Sequence, residues 1–447
     1  MQKFLEIASL ATWPVEFGRD GNALFPLQVK DLLGACKEAT DVLVLSHGWN
    51  NDQNEANQLY RELLGNLGTL EFQGKAARKL IVLRVYWPSK RFAEKELIPG
   101  GAAALSDPIQ PLLSQLDGLL KDYEQPGDAR HGRTIEALRA LIPNLEQDEQ
   151  SQEEFVRLVR FILSSHVNEE EEVLQSTFFE MEPVELLRRL GRRFQLHQTK
   201  EGAASLGLLT DAHVSEQKIA AGLGNVFSGV LNGARNFLNL FTYYEMKERA
   251  GSIGRVGLHD VLRQAREAKP ALRIHLCGHS FGGRLVTAAV AASAVTDQPG
   301  RGAASLILLQ AAFSHNGFGQ KFDGKNDGFF RSVLAGHRMN GPIVITHSRL
   351  DLAVGLAYPI ASRLRNQIAS GLGDARDPYG AIGRNGALGV DNEVDPREAS
   401  LRPAGDAYSP FRAGRIYNLE SARYITGHSE VHGKEVAAAL LHAMKVD

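Results

Sequence analysis

Cysteine is almost absent from the chain, which has only Cys36 and Cys277 among its 447 residues. So little cysteine excludes a disulfide-stapled scaffold, and Cys277 falls inside an apolar run predicted to be a buried strand, so the two are not expected to pair. Long apolar runs are lacking as well, because no window of about 18 apolar residues occurs, which predicts no membrane span. Neither charge is in excess, because the net charge is −2. The sequence therefore lacks the excess of positive charge typical of proteins that bind nucleic acid or an anionic membrane.

The amino terminus, MQKFLEIASLATWPVEF, lacks the features of a secretory leader. It carries a lysine and an acidic residue within its apolar stretch, and it has neither a proper hydrophobic region nor a cleavage site. With 43% hydrophobic and 23% charged residues, the composition is that of an ordinary globular protein. We expect a cytoplasmic protein, with secretion by a route that needs no cleaved signal as the open alternative.

What the sequence does contain is a strand–turn–helix unit around residue 280. Residues 274–277 form a short apolar run that predicts a buried strand, and residues 285–292, rich in alanine and leucine, predict a buried helix. Between them lies Gly278-His279-Ser280-Phe281-Gly282, a G-x-S-x-G motif in the context that it requires. A serine on so tight a turn is strained, and glycines two positions away on either side avoid collisions. We therefore predict that Ser280 is a nucleophile at the positive end of a helix.

A second turn follows the apolar run DVLVLS, Asp41–Ser46, which predicts a buried strand. The turn reads His47-Gly48-Trp49, and Gly48 would let the backbone approach a substrate carbonyl closely. These two turns resemble the α/β-hydrolase pattern, in which one oxyanion-hole amide follows the nucleophile and the other comes from the loop after an early strand. The predicted donors are the N–H groups of Phe281 and Trp49, while His47 is expected to orient the loop rather than to act as a base.

Several further residues are candidates for contact with substrate. The apolar run Leu80–Tyr86 predicts a strand, and strand carboxyl ends face the ligand-binding edge of an open parallel sheet. Tyr86 and Trp87 are therefore expected to line a pocket, with ordinary core packing as the alternative. Substrate contact is also predicted for His47, Gly48 and His279.

An acid and a base are expected beyond the last two strands. The apolar run at 342–346 leads to Asp351, a few residues past a predicted strand end. Between the last predicted strand, 415–419, and the terminal helix lie His428 and His432, of which we favour His428 as the base. Chemistry by a serine, a histidine and an aspartate needs no metal or organic cofactor, and none is expected. A zinc site at His275 and His279 is also not expected, because the two flank a strand–turn and have no adjacent carboxylate.

The alternation of strands and helices breaks between about 95 and 249, where helical patterns alone occur. We predict a core of residues 1–94 and 250–447, and a helical cap or lid of residues 95–249. Within it, residues 226–244 form an apolar, aromatic helical surface, which indicates either internal packing or a lipid-facing lid. A glycine series at 222, 224, 229 and 233 would suit a mobile lid. The glycine- and proline-rich stretch 371–410 is expected to form turns without chemistry.

Taken together, the His47-Gly48-Trp49 turn, the elbow around Ser280, Asp351 and His428 resemble the α/β-hydrolase superfamily in its serine esterase and lipase branch. The resemblance covers residues 40–90 and 250–447, and the chain order serine, aspartate, histidine is that of this superfamily. It implies an α/β-hydrolase fold, with a mostly parallel central sheet flanked by helices. One departure is that the large insertion comes earlier than the superfamily's usual cap.

The resemblance implies a carboxylic-ester hydrolase, an esterase or a lipase, that acts through a Ser-His-Asp triad and an acyl-enzyme. Its substrate would be a small ester or a lipid, and transient contact with a lipid surface is compatible with that. An amidase, peptidase or thioesterase could use the same triad. A catalytically silent scaffold whose insertion binds a protein partner and a secreted antibacterial phospholipase are the remaining alternatives, and the oligomeric state stays open.

Overall fold

The structure is a computed structural model that describes residues 5–70, 78–89, 109–122, 129–164, 181–191, 229–292, 302–334, 338–351 and 380–445. Its chain divides into two compact units. The first comprises Met1–Lys90, Met246–Tyr358 and Gly371–Asp447, and the second takes in Arg91–Glu245. The sequence also predicts helices at 172–179 and 352–368, and both stretches lie outside the described residues.

The first unit contains a sheet in which eight strands are described. They are β1 Leu5–Ile7, β2 Leu10–Glu16, β3 Asp41–Ser46, β4 Leu80–Tyr86, β5 Arg273–His279, β6 Ser305–Leu309, β7 Ile343–His347 and β8 Ile416–Glu420. The strands are arranged in the order β1-β2-β4-β3-β5-β6-β7-β8. Only β1 runs antiparallel to its neighbour, and the other described pairs are parallel.

Helices alternate with these strands along the first unit. They are α1 Pro26–Glu38, α2 Gln53–Gly68, α8 His259–Ala268, α9 Phe281–Ala291, α10 Ile382–Asn385 and α11 Lys434–Met444. The predicted α/β class with a mostly parallel sheet is therefore confirmed. None of the described helices is both long and apolar enough to cross a lipid bilayer.

The apolar sequences of the central strands explain why these strands lie in the middle of the sheet. Every residue of β3 and of β6 is buried, as parallel strands covered on both faces require. One apolar cluster lies between the sheet and two helices that pack side by side, α2 and α11, and it includes Leu45, Tyr60 and Leu440. Asp52 and Glu55 form a capping box that satisfies the hydrogen bonds of the first amides of α2. The helix can therefore begin directly after the loop that follows β3.

The order of the strands creates a switch point between β3 and β5. From β3 the chain moves to β4 on one side, whereas β5 lies on the other side and leads on to β6. The loops that leave the carboxyl ends of β3 and β5 therefore diverge, and open parallel sheets bind ligands in the crevice that such divergence leaves. The two turns singled out in the sequence are these two loops.

All the secondary structure described in the second unit is helical. It contains α3 Ile109–Asp122, α4 Ala129–Leu141, a 3₁₀ turn at Ile142–Asn144, α5 Glu149–Ser164, α6 Pro183–Leu190 and the start of α7 Val230–Ser252. The α7 helix approaches α6 closely, because a Cβ on Gly233 would lie 2.1 Å from the Leu187 carbonyl oxygen. This glycine therefore serves helix packing, while positions 222 and 224 lie outside the described residues.

The aromatic surface predicted at 226–244 corresponds to the first part of α7, which begins at Val230. Phe227 falls outside the described residues. Phe237, Phe241 and Tyr244 are all buried, which agrees with the internal-packing alternative. Whether this unit is a cap or a mobile lid stays a prediction. Beyond it, α7 continues through a π-helical segment, Ile253–Leu258, into α8.

The stretch expected to form turns alone holds two buried carboxylates. Asp395 accepts hydrogen bonds from Arg397, Arg412 and the Tyr417 hydroxyl. Glu398 is 2% exposed and pairs with Arg402. Hydrogen bonds from Arg397, Arg412 and Tyr417 hold the pKa of Asp395 well below its usual range. The hydrogen bond from Tyr417 joins Asp395 to β8, so the described part of this stretch contacts the sheet and does more than form turns.

Candidate active site

Ser280 stands at a sharp turn between β5 and α9. Its backbone has φ 55° and ψ −126°, a conformation that a residue with a side chain adopts only under strain. The flanking glycines are needed sterically. A Cβ on Gly278 would lie 2.3 Å from the Gly282 carbonyl oxygen, and one on Gly282 would lie 2.3 Å from the Ser46 carbonyl oxygen. The turn is thus as tight as the G-x-S-x-G spacing predicts.

The Ser280 hydroxyl lies at the amino-terminal end of α9. Ser280 occupies the N-cap position of α9. All residues of this helix are described, and the Ser280 side chain makes no capping hydrogen bond to it. The cap of this helix therefore does not use the Ser280 hydroxyl. Phe281 is the first residue of α9, and the amides of a first helical turn point out of the helix toward negative charge.

A histidine–carboxylate pair lies on the loops that follow β7 and β8. His428 Nδ1 is 2.8 Å from Asp351 Oδ2. Asp351 is fully buried, whereas 17% of the His428 side chain is exposed. An ionised carboxylate only accepts, so Nδ1 carries the proton and donates it, which leaves Nε2 with a lone pair that can accept a proton. The Ser348 hydroxyl, which donates to the Ile425 carbonyl at 3.1 Å, ties the two loops together.

The elbow and the histidine loop are joined by the residue before Ser280. His279 Nε2 lies 2.9 Å from the His428 carbonyl oxygen, and the two imidazole rings are 4.8 Å apart. Since a carbonyl only accepts, His279 donates from Nε2. Burial lowers the pKa of His279 well below its usual range, and the neighbouring His428 lowers it further. His279 is therefore a neutral connector between the serine turn and the His428 backbone.

The competing histidine is directed elsewhere. His432 Nε2 lies 3.3 Å from Glu62 Oε2 on α2, and the Asn66 side chain donates to the His432 carbonyl at 2.7 Å. The structure therefore brings His428, not His432, to Asp351.

The loop after β3 lies directly against the serine. A Cβ on Gly48 would come within 2.7 Å of Ser280 Cβ, so only glycine fits there without displacing the serine. The Trp49 and Phe281 rings are 6.0 Å apart, which places both predicted oxyanion residues beside the turn. Asn51 braces this loop by donating from its side chain to the Trp49 carbonyl at 2.9 Å.

His47 and Trp87 form a buried stack beneath this loop. Their rings are 5.6 Å apart and nearly parallel, and the Trp87 indole N–H donates to the His47 carbonyl at 3.0 Å. Burial lowers the pKa of His47 to about 4, so the ring is neutral near pH 7. The Tyr86 hydroxyl lies 2.6 Å from Asn57 Oδ1. These contacts show His47, Trp87 and Tyr86 engaged with the scaffold; contact with substrate stays a prediction for them.

One residue beside the pair gave no signal in the sequence. Gln310 directly follows β6, is fully buried, and has φ 44°. Its Nε2 lies 3.3 Å from Asp351 Oδ2, the oxygen that also faces His428. A glutamine at a strand end belongs to no sequence motif. Gln310 can be identified as part of the site only from its contact with Asp351 in the structure.

A groove of about 880 Å³ lies apart from these residues, between α1 and α8. It is lined by Phe17, Gly21, Asn22, Ala23, Pro26, Val29, Lys30, Leu33, Gly34, Lys37, Val256, Gly257, Asp260, Val261, Gln264 and Ala268. None of the candidate site residues borders it. Among the described residues, no cluster of three or more histidine, cysteine or carboxylate side chains could hold a metal ion.

Comparison of the chain with protein-family models, with curated proteins and with solved structures finds no match.

Proposed function

We propose that the protein is a serine hydrolase with an α/β-hydrolase fold, and that it cleaves carboxylic esters. The observation that carries the proposal is the 2.8 Å contact between His428 Nδ1 and Asp351 Oδ2 on loops adjoining a strained serine turn. The 2.9 Å contact from His279, the neighbour of Ser280, to the His428 backbone supports it. In this proposal Ser280 is the nucleophile, His428 the general base and Asp351 the residue that orients the base.

The reaction begins when His428 Nε2 takes the proton of the Ser280 hydroxyl as its oxygen attacks the ester carbonyl carbon. The resulting tetrahedral oxyanion collapses, the C–O bond to the alcohol breaks, and His428 returns the proton to the departing alkoxide. Water then attacks the acyl-enzyme with His428 again as base, which releases the acid and restores Ser280. Asp351 holds Nδ1–H throughout, so that Nε2 keeps the lone pair that the first step needs.

The N–H groups of Trp49 and Phe281 are the proposed oxyanion donors. Gly48, packed against Ser280, brings the first of them to the turn, and the amino-terminal end of α9 supplies the second together with the helix dipole. Each such donor lowers the barrier by about 3 kcal/mol when it is preorganised.

The nucleophile is tested by Ser280→Ala with p-nitrophenyl acetate as substrate. Turnover should fall by more than about 10⁴-fold, because the group that forms the covalent bond is lost. Circular dichroism and thermal melting should show an unchanged fold. A fluorophosphonate probe should label the wild-type chain at Ser280 and leave the variant unlabelled.

The alternatives give different results in the same assays. A catalytically silent scaffold would not be labelled by the probe, and unchanged turnover in Ser280→Ala would remove Ser280 from the mechanism. Amide and thioester substrates assayed beside the ester separate an amidase or thioesterase from an esterase. A series of p-nitrophenyl acyl esters with and without detergent micelles separates lipase from esterase, because a rate increase at micelles favours a lipase.

A further inference from the structure

Gln310 occupies a backbone conformation that glutamine rarely adopts. Its φ of 44° lies in the left-handed region, which is disfavoured for residues with a side chain. Two neighbours hold it there. Its N–H donates to Thr346 Oγ1 at 3.3 Å, and Gly383 packs so closely that a Cβ on it would lie 2.4 Å from the Gln310 carbonyl carbon. Strain of this kind persists only where the surroundings impose it, and it is concentrated at functional sites.

The side-chain amide of Gln310 has a defined orientation. The Thr346 hydroxyl lies 3.1 Å from Oε1, while Nε2 lies 3.1 Å from the Gly383 carbonyl oxygen and 3.3 Å from Asp351 Oδ2. If the amide were turned over, Oε1 would face a carbonyl and a carboxylate, two groups that only accept. Nε2 therefore donates one hydrogen to Gly383 and the other to Asp351.

This donation falls on the oxygen that His428 also uses. Asp351 Oδ2 accepts from His428 Nδ1 at 2.8 Å and from Gln310 Nε2 at 3.3 Å. Both Asp351 and Gln310 are buried, where a hydrogen bond from a fixed donor restricts the orientation of a carboxylate. The amide thus prevents the carboxylate from rotating away from the imidazole.

We infer that Gln310 is a positioning residue for the Asp351–His428 pair, and that it acts by holding the Asp351 carboxylate aimed at His428 Nδ1. The inference deepens the proposed serine hydrolase function and rests on it. Gln310 does not reach substrate in this role. Its effect on rate passes through the orientation of His428, so its loss should lower kcat and leave KM nearly unchanged.

The first test is Gln310→Met, which keeps the length of the side chain and removes its hydrogen bonds. We expect kcat for p-nitrophenyl acetate to fall about tenfold, the effect of losing one hydrogen bond to an ionised group, with KM within about twofold. Thermal melting should show a folded variant, and activity should be normalised to its folded fraction. An unchanged kcat in the folded variant overturns the inference.

The second test is Gln310→Glu, which separates positioning from simple packing. A protonated carboxyl can donate to Asp351 as the amide does, whereas an ionised one repels it, and both burial and the adjacent carboxylate favour the protonated form. The ratio of variant to wild-type kcat should therefore be highest at low pH and fall as the pH rises. The same ratio for Gln310→Met should not change with pH. Equal pH dependence of the two ratios would mean that Gln310 only packs.

A third measurement does not require turnover. In protein with ¹⁵N-labelled histidine, the Nδ1 proton of His428 reports on its hydrogen bond to Asp351. Its resonance should shift in Gln310→Met relative to wild type. If wild type turns over no ester but this resonance shifts, the proposed function fails while the positioning role stands. If ester is hydrolysed but neither kcat nor the resonance changes in Gln310→Met, only the inference about Gln310 fails.

Discussion

A serine, a histidine and an aspartate are also joined by hydrogen bonds at the end of the sheet opposite the proposed site. Ser305 Oγ lies 2.8 Å from His275 Nδ1, and His275 Nε2 lies 3.1 Å from Asp41 Oδ1. These distances match those expected of a catalytic triad, as the His428–Asp351 distance does. Because Asp41 and Ser305 open β3 and β6, however, this set lies toward the amino ends of the parallel strands, away from the loops that leave their carboxyl ends.

Access and charge distinguish the two sets. Ser305, His275 and Asp41 are each 0% exposed, and Asp41 is also held by two nitrogens of Arg273, at 2.8 and 3.0 Å. Ser305 lies within a regular strand, without the positive φ and the helix amino terminus found at Ser280. Hydrogen-bond geometry alone therefore does not single out the proposed nucleophile; Ser280 differs from Ser305 in its strained turn, the adjacent amides and the partly exposed imidazole of His428.

The sharpest test of this comparison exchanges each aspartate for asparagine. Asp351→Asn should lower kcat by about 10⁴-fold, because the amide stabilises the wrong tautomer of the base, and should leave the fold intact. Asp41→Asn should instead lower the free energy of unfolding by about 3 kcal/mol, because the Arg273 and His275 contacts lose a buried carboxylate. Turnover assays and urea unfolding of both variants measure the two effects.

Each variant serves as the control for the other. If Asp41→Asn lowered kcat of the folded protein as strongly as Asp351→Asn, the distinction between the two ends of the sheet would be wrong. The same would hold if Asp351→Asn changed only stability.

The buried set of Ser305, His275 and Asp41 should also affect how the free energy of unfolding depends on pH. Burial lowers the pKa of His275, and Asp41 only partly offsets that effect. The folded protein thus protonates His275 only at a lower pH than the unfolded chain, which takes up a proton as the pH falls through about 6.5. Stability from this group is present above that pH and is lost below it.

We expect His275→Gln to reduce the loss of unfolding free energy between pH 7 and pH 5, measured in urea. Burial disfavours ionisation of Asp41, but hydrogen bonds from His275, Arg273 and Thr40 outweigh it and hold its pKa well below its usual range. Its contribution is therefore lost only below about pH 4, outside the window of the experiment. A variant with the wild-type slope would show that His275 is not the group responsible.

The elbow could be predicted because its constraints are local. Glycines at 278 and 282 are required by contacts within a few residues and with one neighbouring strand, so their spacing is visible in the sequence. Buried parallel strands such as Asp41–Ser46 and Leu80–Tyr86 were predicted to the residue, since apolar runs bounded by polar turns specify them.

Other features depend on contacts between distant segments. Position in the sequence favoured His428 over His432 without excluding the latter. What separates them in the structure is that the loop after β7 brings Asp351 to His428, whereas α2 brings Glu62 to His432. The role inferred for Gln310 depends on Thr346 and Asp351, 36 and 41 positions away. The buried Asp395 similarly needs Arg412 and Tyr417 from the far end of its connection, so composition indicated a turn-rich loop and nothing more.

The smallest expected effect comes from Ser305→Ala, the counterpart of Ser280→Ala at the opposite end of the sheet. The variant removes the hydroxyl that donates to His275 Nδ1 and leaves a buried acceptor without that bond, which should cost about 1 kcal/mol of unfolding free energy. Turnover of p-nitrophenyl acetate and fluorophosphonate labelling should match wild type, because Ser305 is fully buried and adjoins no helix amino terminus. A loss of labelling in folded Ser305→Ala would mean that the probe reacts at the buried Ser305, and the assignment of Ser280 would have to be abandoned.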